Sequence, residues 1–170
     1  MSSRAAWRLE TLGFRQVYRY APGKSDWLAN GLLVEGKQAH VPRASDVARQ
    51  DVPTCHLGEH VGDVRKRVRA AGLDICLVVT DGDVVLGRLS KAELASAATS
   101  VVDEVMEPGP TTVRPHELLE SLVPRLKERR VGAIIVTVPN GRLVGVLFRD
   151  NAERRLEEFK AGEGRRDQPS

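Results

Sequence analysis

The sequence predicts an α/β fold with mixed sheets, in which two copies of one β-α-β-β-α unit pack as a pseudo-twofold pair. Three observations predict it. The chain repeats itself: Thr54-Cys55-His56-Leu57 lies over Thr112-Val113-Arg114-Pro115, an offset of 112 − 54 = 58. Apolar residues follow each start at helical spacing, Val61, Val64 and Val68 in the first copy and Leu119, Leu122 and Leu126 in the second. Each copy then carries two apolar strands around a tight turn, Asp81-Gly82-Asp83 over Pro139-Asn140-Gly141. Asp-Gly and Asn-Gly pairs between apolar runs are hairpin signals, because both residues tolerate positive φ.

The elements follow in order. Residues 1–36 read as a helix over 4–12, a short strand over 16–20, a turn at Pro22-Gly23 and a helix over 25–30. Ser25 is the expected N-cap and Gly31 the expected stop. Residues 37–50 are polar, hold Pro42 and read as a linker. Residues 51–101 form the first copy, with strands over 75–80 and 84–90 and a closing helix over 91–98. Residues 102–159 form the second, with strands over 133–137 and 143–148 and a closing helix over 149–159. Gly87 aligns with Gly145 at the same offset, 145 − 87 = 58. The remainder, 160–170, is rich in Gly, Arg and Glu and reads as a disordered tail. One unit has too few elements to bury its apolar face alone. Two packed face to face share a core.

The chain has 170 residues, of which 41% are hydrophobic but only 4% aromatic, so the core must be built from Val, Leu, Ile and Ala. The net charge is +3, with Arg and Lys interleaved with acids, as in 125–130. A nucleic-acid arm would show an uncompensated basic block, so a nucleic-acid partner is not expected. Cys55 and Cys76 lie outside any CxxC spacing, which points to a reducing, cytoplasmic compartment. No apolar run approaches the roughly 18 residues of a membrane span. Cys55, His56 and His60 are poor metal ligands, since strand neighbours face opposite ways and no second pair completes four ligands. No P-loop, GxGxxG or nucleophile-base-orienter set is readable, so the chain reads as no enzyme, without a catalytic cofactor.

With Val102-Asp103-Glu104-Val105-Met106-Glu107-Pro108 leading into Thr112-Val113-Arg114-Pro115, and Gly141-Arg142-Leu143-Val144-Gly145-Val146-Leu147 at the second hairpin, the chain resembles the CBS-domain family. The resemblance implies tandem CBS repeats that bind an adenosine-containing ligand (AMP, ADP, ATP or S-adenosylmethionine) in the clefts between them, with homodimerisation. It also implies where to look. The end of the last strand and start of the last helix carry a hydroxyl and a carboxylate for the ribose and phosphate. In the first copy these are Ser90 and Glu93, with Lys91 within reach of a phosphate and Thr112 beside them. Ser90 and Glu93 are equally the two halves of a capping box, which needs no ligand. Val131, Gly132 and Ala133 would flank the base in that cleft. The weaker second cleft would use Thr54, Asp74, Ile75, Cys76, Arg149 and Asn151, with Phe148 where the hydroxyl belongs. An alternative reading is a scaffold with degenerate clefts that binds no nucleotide.

The first zone resembles the C-terminal end of a rhodanese domain, through Ser3-Arg4-Ala5-Ala6, Leu12-Gly13-Phe14, Gly23, Trp27 and Gly31-Leu32. The nucleophilic cysteine of that family would precede Arg4, so sulfurtransferase activity is not expected.

Overall fold

The structure is a computed structural model that describes residues 3–18, 20–21, 23–30, 32–33, 35 and 40–166. The N-terminal zone holds α1 (Ser3–Thr11) and α2 (Lys24–Ala29). Residues 16–18 and 20 form no strand, because no neighbouring strand offers them a ladder; Arg19 lies outside the described residues. Gly23, at φ 85°, rather than Ser25, is the N-cap of α2. The expected turn residue Pro22 and stop Gly31 lie outside the described residues. This zone touches the body through Asp26, which accepts from the Tyr20 hydroxyl at 2.5 Å and pairs with Arg142 at 3.2 Å.

Next come α3 (Ala44–Val47), β1 (Thr54–Cys55), α4 (Val61–Ala70), β2 (Cys76–Val79), β3 (Val85–Leu89) and α5 (Lys91–Leu94). The second half runs α6 (Val102–Val105), β4 (Glu107–Pro108), β5 (Thr112–Val113), α7 (Leu119–Glu128), β6 (Ala133–Thr137), β7 (Leu143–Phe148) and α8 (Arg149–Arg166). Both β-α-β-β-α units are present, and α4 and α7 start 119 − 61 = 58 residues apart. One sheet has the order β1-β2-β3-β4 and the other β5-β6-β7, each with one parallel and otherwise antiparallel pairs.

The central strands are buried on both faces, so they read as continuous apolar runs rather than alternating ones. Their alternate residues serve different cores. Cys76 and Val78 face Val64, Val68 and Leu94 under α4 and α5. Ile134 and Val136 face Leu122, Leu126 and Leu156 under α7 and α8. Leu77 and Val79 instead meet Ile135 and Val146 between the repeats. That third cluster makes two units one domain.

The leader segments exchange partners. Segment 42–49, read as a linker, forms α3 and packs on the second repeat, where the Ala44 N–H donates to Glu117 O at 2.8 Å and Arg49 pairs with Val146. Segment 101–108, which precedes the second repeat in sequence, packs on the first: the Val102 N–H donates to Glu59 O at 2.9 Å and β4 joins β3. Gly87 and Gly145 permit both crossings. A Cβ on Gly145 would stand 2.5 Å from Arg49 O, and one on Gly87 would stand 3.0 Å from Glu107 O.

The hairpin tips also meet across the pseudo-twofold. Leu143 N–H donates to Asp83 O at 2.9 Å and Val85 N–H to Gly141 O at 3.1 Å. The left-handed turn position falls on Gly141 (φ 85°) in one hairpin and on Asp83 (φ 60°), not Gly82, in the other. Left-handed backbone costs a non-glycine residue about 1–2 kcal/mol, partly offset by the extra chain entropy glycine loses. Asp83→Gly should therefore stabilise the fold by about 0.5 kcal/mol. A thermal melt checks this, and a lowered midpoint would refute it.

The closing helices differ from expectation in opposite directions. In the first repeat α5 stops at Leu94 instead of residue 98, because the Arg65 guanidinium takes the carbonyls of Leu94 (2.6 Å) and Ser96. In the second, α8 continues through residue 166, so 160–166 is helical rather than a disordered tail. Ion pairs one turn apart, Arg154–Glu158 and Arg155–Glu158, line its solvent face. Residues 167–170 lie outside the described residues. No helix among the described residues is long and apolar enough to cross a membrane.

Candidate functional site

A pocket of about 240 Å³ opens between the two repeats. The second repeat supplies one wall from the end of α7 and the start of β6: Leu126, Val131, Ala133 and Ile134. This wall is apolar. Arg125 and Arg129 stand above them, while Arg88 and Glu107 face across from the first repeat's sheet and Thr111 closes the end.

The charges are unevenly satisfied. Arg88 pairs with Glu107 at 2.7 Å, and Arg125 pairs with Glu117. Among the described residues Arg129 has no ion-pair partner. The lining carries three guanidiniums against one carboxylate, a net of 3 − 1 = +2. A guanidinium fork binds carboxylate or phosphate oxygens in pairs, so the pocket suits a ligand with a planar ring and an anionic group.

Of the residues expected in this cleft, Val131 and Ala133 line the pocket. Thr112 does not; it pairs with Ile135 in the sheet, and its strand neighbour Thr111 faces the pocket instead. Ser90, Lys91 and Glu93 are also absent from the lining. Glu93 folds back as a capping box, its carboxylate accepting from Ser90 N–H at 2.8 Å and Ser90 Oγ at 2.5 Å. Lys91 lies instead in a groove between α4 and α5.

The hydrogen bond from Ser90 holds the Glu93 carboxyl below its usual range. A depressed carboxylate contributes stability above its unfolded pKa, and loses that contribution as pH falls through the lower folded value. Glu93→Ala should cost about 1 kcal/mol at neutral pH, and Glu93→Gln should flatten the acid limb of the stability curve. Melts from neutral to acid pH check both; an unchanged acid limb in the Gln variant would refute the capping role.

In the second cleft Leu73 and Ile75 hold the positions of Val131 and Ala133, at 131 − 58 = 73 and 133 − 58 = 75, and both are partly buried against the shared core, as Ala133 is. Cys76 offers no surface: it is fully buried, and a hydrogen bond with Cys55, reinforced by burial, pushes its thiol up. Arg149 is held by Glu153 at 3.2 Å, and Asn151 accepts from Arg154 at 3.2 Å. Phe148 packs in the shared core, opposite Ala133 in the sheet. Thr54 pairs with Leu77 in the ladder, and Asp74 lines the α4–α5 groove.

His56, weighed above as a ligand, has Nδ1 3.1 Å from Val79 O. Its counterpart Arg114 reaches Thr137 and Val138 from the same place in the second repeat. Both tie the first strand of a unit to its hairpin.

Sequence reading missed Arg88, Glu107, Thr111, Arg125 and Arg129. The signal was present: Arg125 and Arg129 are one helical turn apart, just before Val131. Interleaving with Lys127, Glu128 and Arg130 made them look like a solvated face.

The family model described as CBS domain matches residues 44–100 and 102–157. No curated protein matches the chain. Solved structures with the same fold include the CBS domain pair of protein MJ0100 in complex with 5′-methylthioadenosine and S-adenosyl-L-methionine. It has 13% identity and TM-score 0.60, with 69% of this chain and 98% of that one covered. CBSX2 in complex with AMP has 23% identity and TM-score 0.61, with 69% and 98% covered. The cytosolic domain of the Mg2+ channel MgtE in complex with ATP has 22% identity and TM-score 0.62; 69% of this chain and 51% of that one are covered. The match begins at residue 44, and the rhodanese likeness of the first 36 residues finds no support.

Proposed function

The chain belongs to the CBS-domain family, and from that premise we propose that it is a regulatory, non-catalytic module that senses an adenosine-containing ligand in the pocket between its repeats. One observation carries this reading: small apolar walls at Val131 and Ala133 share a pocket with Arg129, whose charge has no partner among the described residues. An adenine fits between the walls, and phosphates or a carboxylate satisfy the guanidinium. Structures of the same fold bound to AMP, to ATP and to S-adenosyl-L-methionine support the ligand class.

Ser90, Glu93 and Thr112 belong to this reading as neighbours of the ribose and phosphate rather than as the pocket's main contacts, whereas Lys91 lines the α4–α5 groove instead. A second copy of the chain would read the signal: occupancy shifts the packing of repeats or of a homodimer only by as much as affinity differs between the two states. Two free, buried thiols fit a reducing, cytoplasmic compartment.

The test is a thermal-shift screen with AMP, ADP, ATP, S-adenosylmethionine and NAD, followed by calorimetry for stoichiometry. A ligand at 100 times its dissociation constant stabilises by about 2.7 kcal/mol, a shift of several degrees. A shift with one adenosine compound is expected. No shift with any of them would overturn the sensor reading in favour of an interaction scaffold.

A further inference from the structure

In the first repeat a groove lies between α4 and α5. In the second repeat an acidic side chain bridges the matching helices, α7 and α8. Glu153 of α8 stands between two cations, 3.3 Å from Lys127 Nζ and 3.2 Å from Arg149 Nε. The offset of 58 carries these three positions onto the first repeat: Lys127 onto Arg69, Arg149 onto Lys91 and Glu153 onto Ala95.

Both cations are thus retained and the carboxylate between them is missing. The place is open: Arg69, Lys91 and Ala95 line a groove of about 410 Å³ floored by Val68, Leu73 and Leu94. Among the described residues neither Arg69 nor Lys91 forms an ion pair. Arg65 also lines the groove but is spent on the carbonyls at the end of α5. Asp74, at the rim, is the one acid in the lining and pairs with neither cation. Because α5 ends at Leu94, no helix continues over the groove as α8 does over α7.

We infer that the α4–α5 groove of the first repeat is a second anion site, in which a carboxylate or phosphate group of a small ligand sits between Arg69 and Lys91, where Glu153 sits in the second repeat. The apolar floor accommodates the body of such a ligand. The site is separate from the nucleotide pocket and does not depend on it.

The experiment is an NMR titration of the full chain with inorganic phosphate and, in a second arm, with glutarate, against sodium chloride at matched ionic strength. Surface pairs are screened by salt, so the match is essential. Expected are shifts of the Arg69, Lys91 and Ala95 amides with either oxyanion, at least tenfold weaker in Arg69→Ala. In Ala95→Glu the variant's own carboxylate fills the site and the shifts vanish, with a midpoint equal to or above the parent's. Ala95 is exposed at the end of α5, so the variant folds. AMP binding in Ala95→Glu stays unchanged, which separates this site from the pocket between the repeats. Shifts that persist in Ala95→Glu, that fall only on Arg88, Arg125 and Arg129, or that match the sodium chloride control overturn the inference. A response to one anion arm alone supports the site and identifies its chemistry.

Discussion

Gly145→Ala is expected to destabilise the fold by about 2–3 kcal/mol, which lowers the midpoint by roughly 5–10 °C for a chain of this size. The added Cβ would stand 2.5 Å from Arg49 O and 3.0 Å from Arg49 C. Neither atom can step aside. Arg49 and Val146 exchange both backbone hydrogen bonds, each at 2.9 Å, so relieving the clash breaks the pairing that holds the leader on β7. Gly87→Ala should cost less, because its nearest neighbour is the flexible Met106 side chain at 2.7 Å. Gly132→Ala meets nothing within 4 Å and should stay within about 0.5 kcal/mol of the parent. Chemical denaturation of the three variants checks the order. A Gly145 variant as stable as the Gly132 variant would mean that the leader does not cross β7.

Ala133→Ile is expected to abolish ligand binding in the pocket while leaving the fold intact. The larger side chain occupies the space that the flat ring needs. The first repeat already carries Ile75 at the equivalent position and packs it into the shared core, so the unit tolerates that volume. Arg129→Ala tests the anionic end of the same pocket. Losing one charge-assisted hydrogen-bond donor costs about 1.5–3 kcal/mol, roughly 10- to 100-fold in affinity. Calorimetry with the compound selected in the screen reads both variants. Undiminished binding in Ala133→Ile would remove this pocket from the site, and undiminished binding in Arg129→Ala would remove the phosphate role.

The expected fold class and the order of elements in both repeats agree with the structure. Spacings such as Val61, Val64, Val68 encode a helical face locally, and the 58-residue offset makes each reading a check on the other. The site was less legible. Ser90 and Glu93 carry the right chemistry at the right spacing, yet the same spacing closes a capping box on α5. Whether that carboxylate also meets a ligand is set by where the opposite repeat stands, which no local pattern records. The converse holds for Arg125 and Arg129. In sequence they sit in a mixed-charge run; in the fold they overlook Val131 and Ala133.

The chain's own sequence therefore determined what is local and periodic: two units, their strands and helices, the apolar faces, and the two glycines at matching positions. Only the tertiary structure decided what is reciprocal. It sends leader 42–49 to the second repeat and leader 101–108 to the first, joins Asp83 to Leu143 and Gly141 to Val85, and brings Val131 and Ala133 of one repeat into a pocket with Arg88 and Glu107 of the other. The physical reason is that a side chain's periodicity is set by its own backbone, whereas its partner is chosen by segments brought close only when both repeats pack.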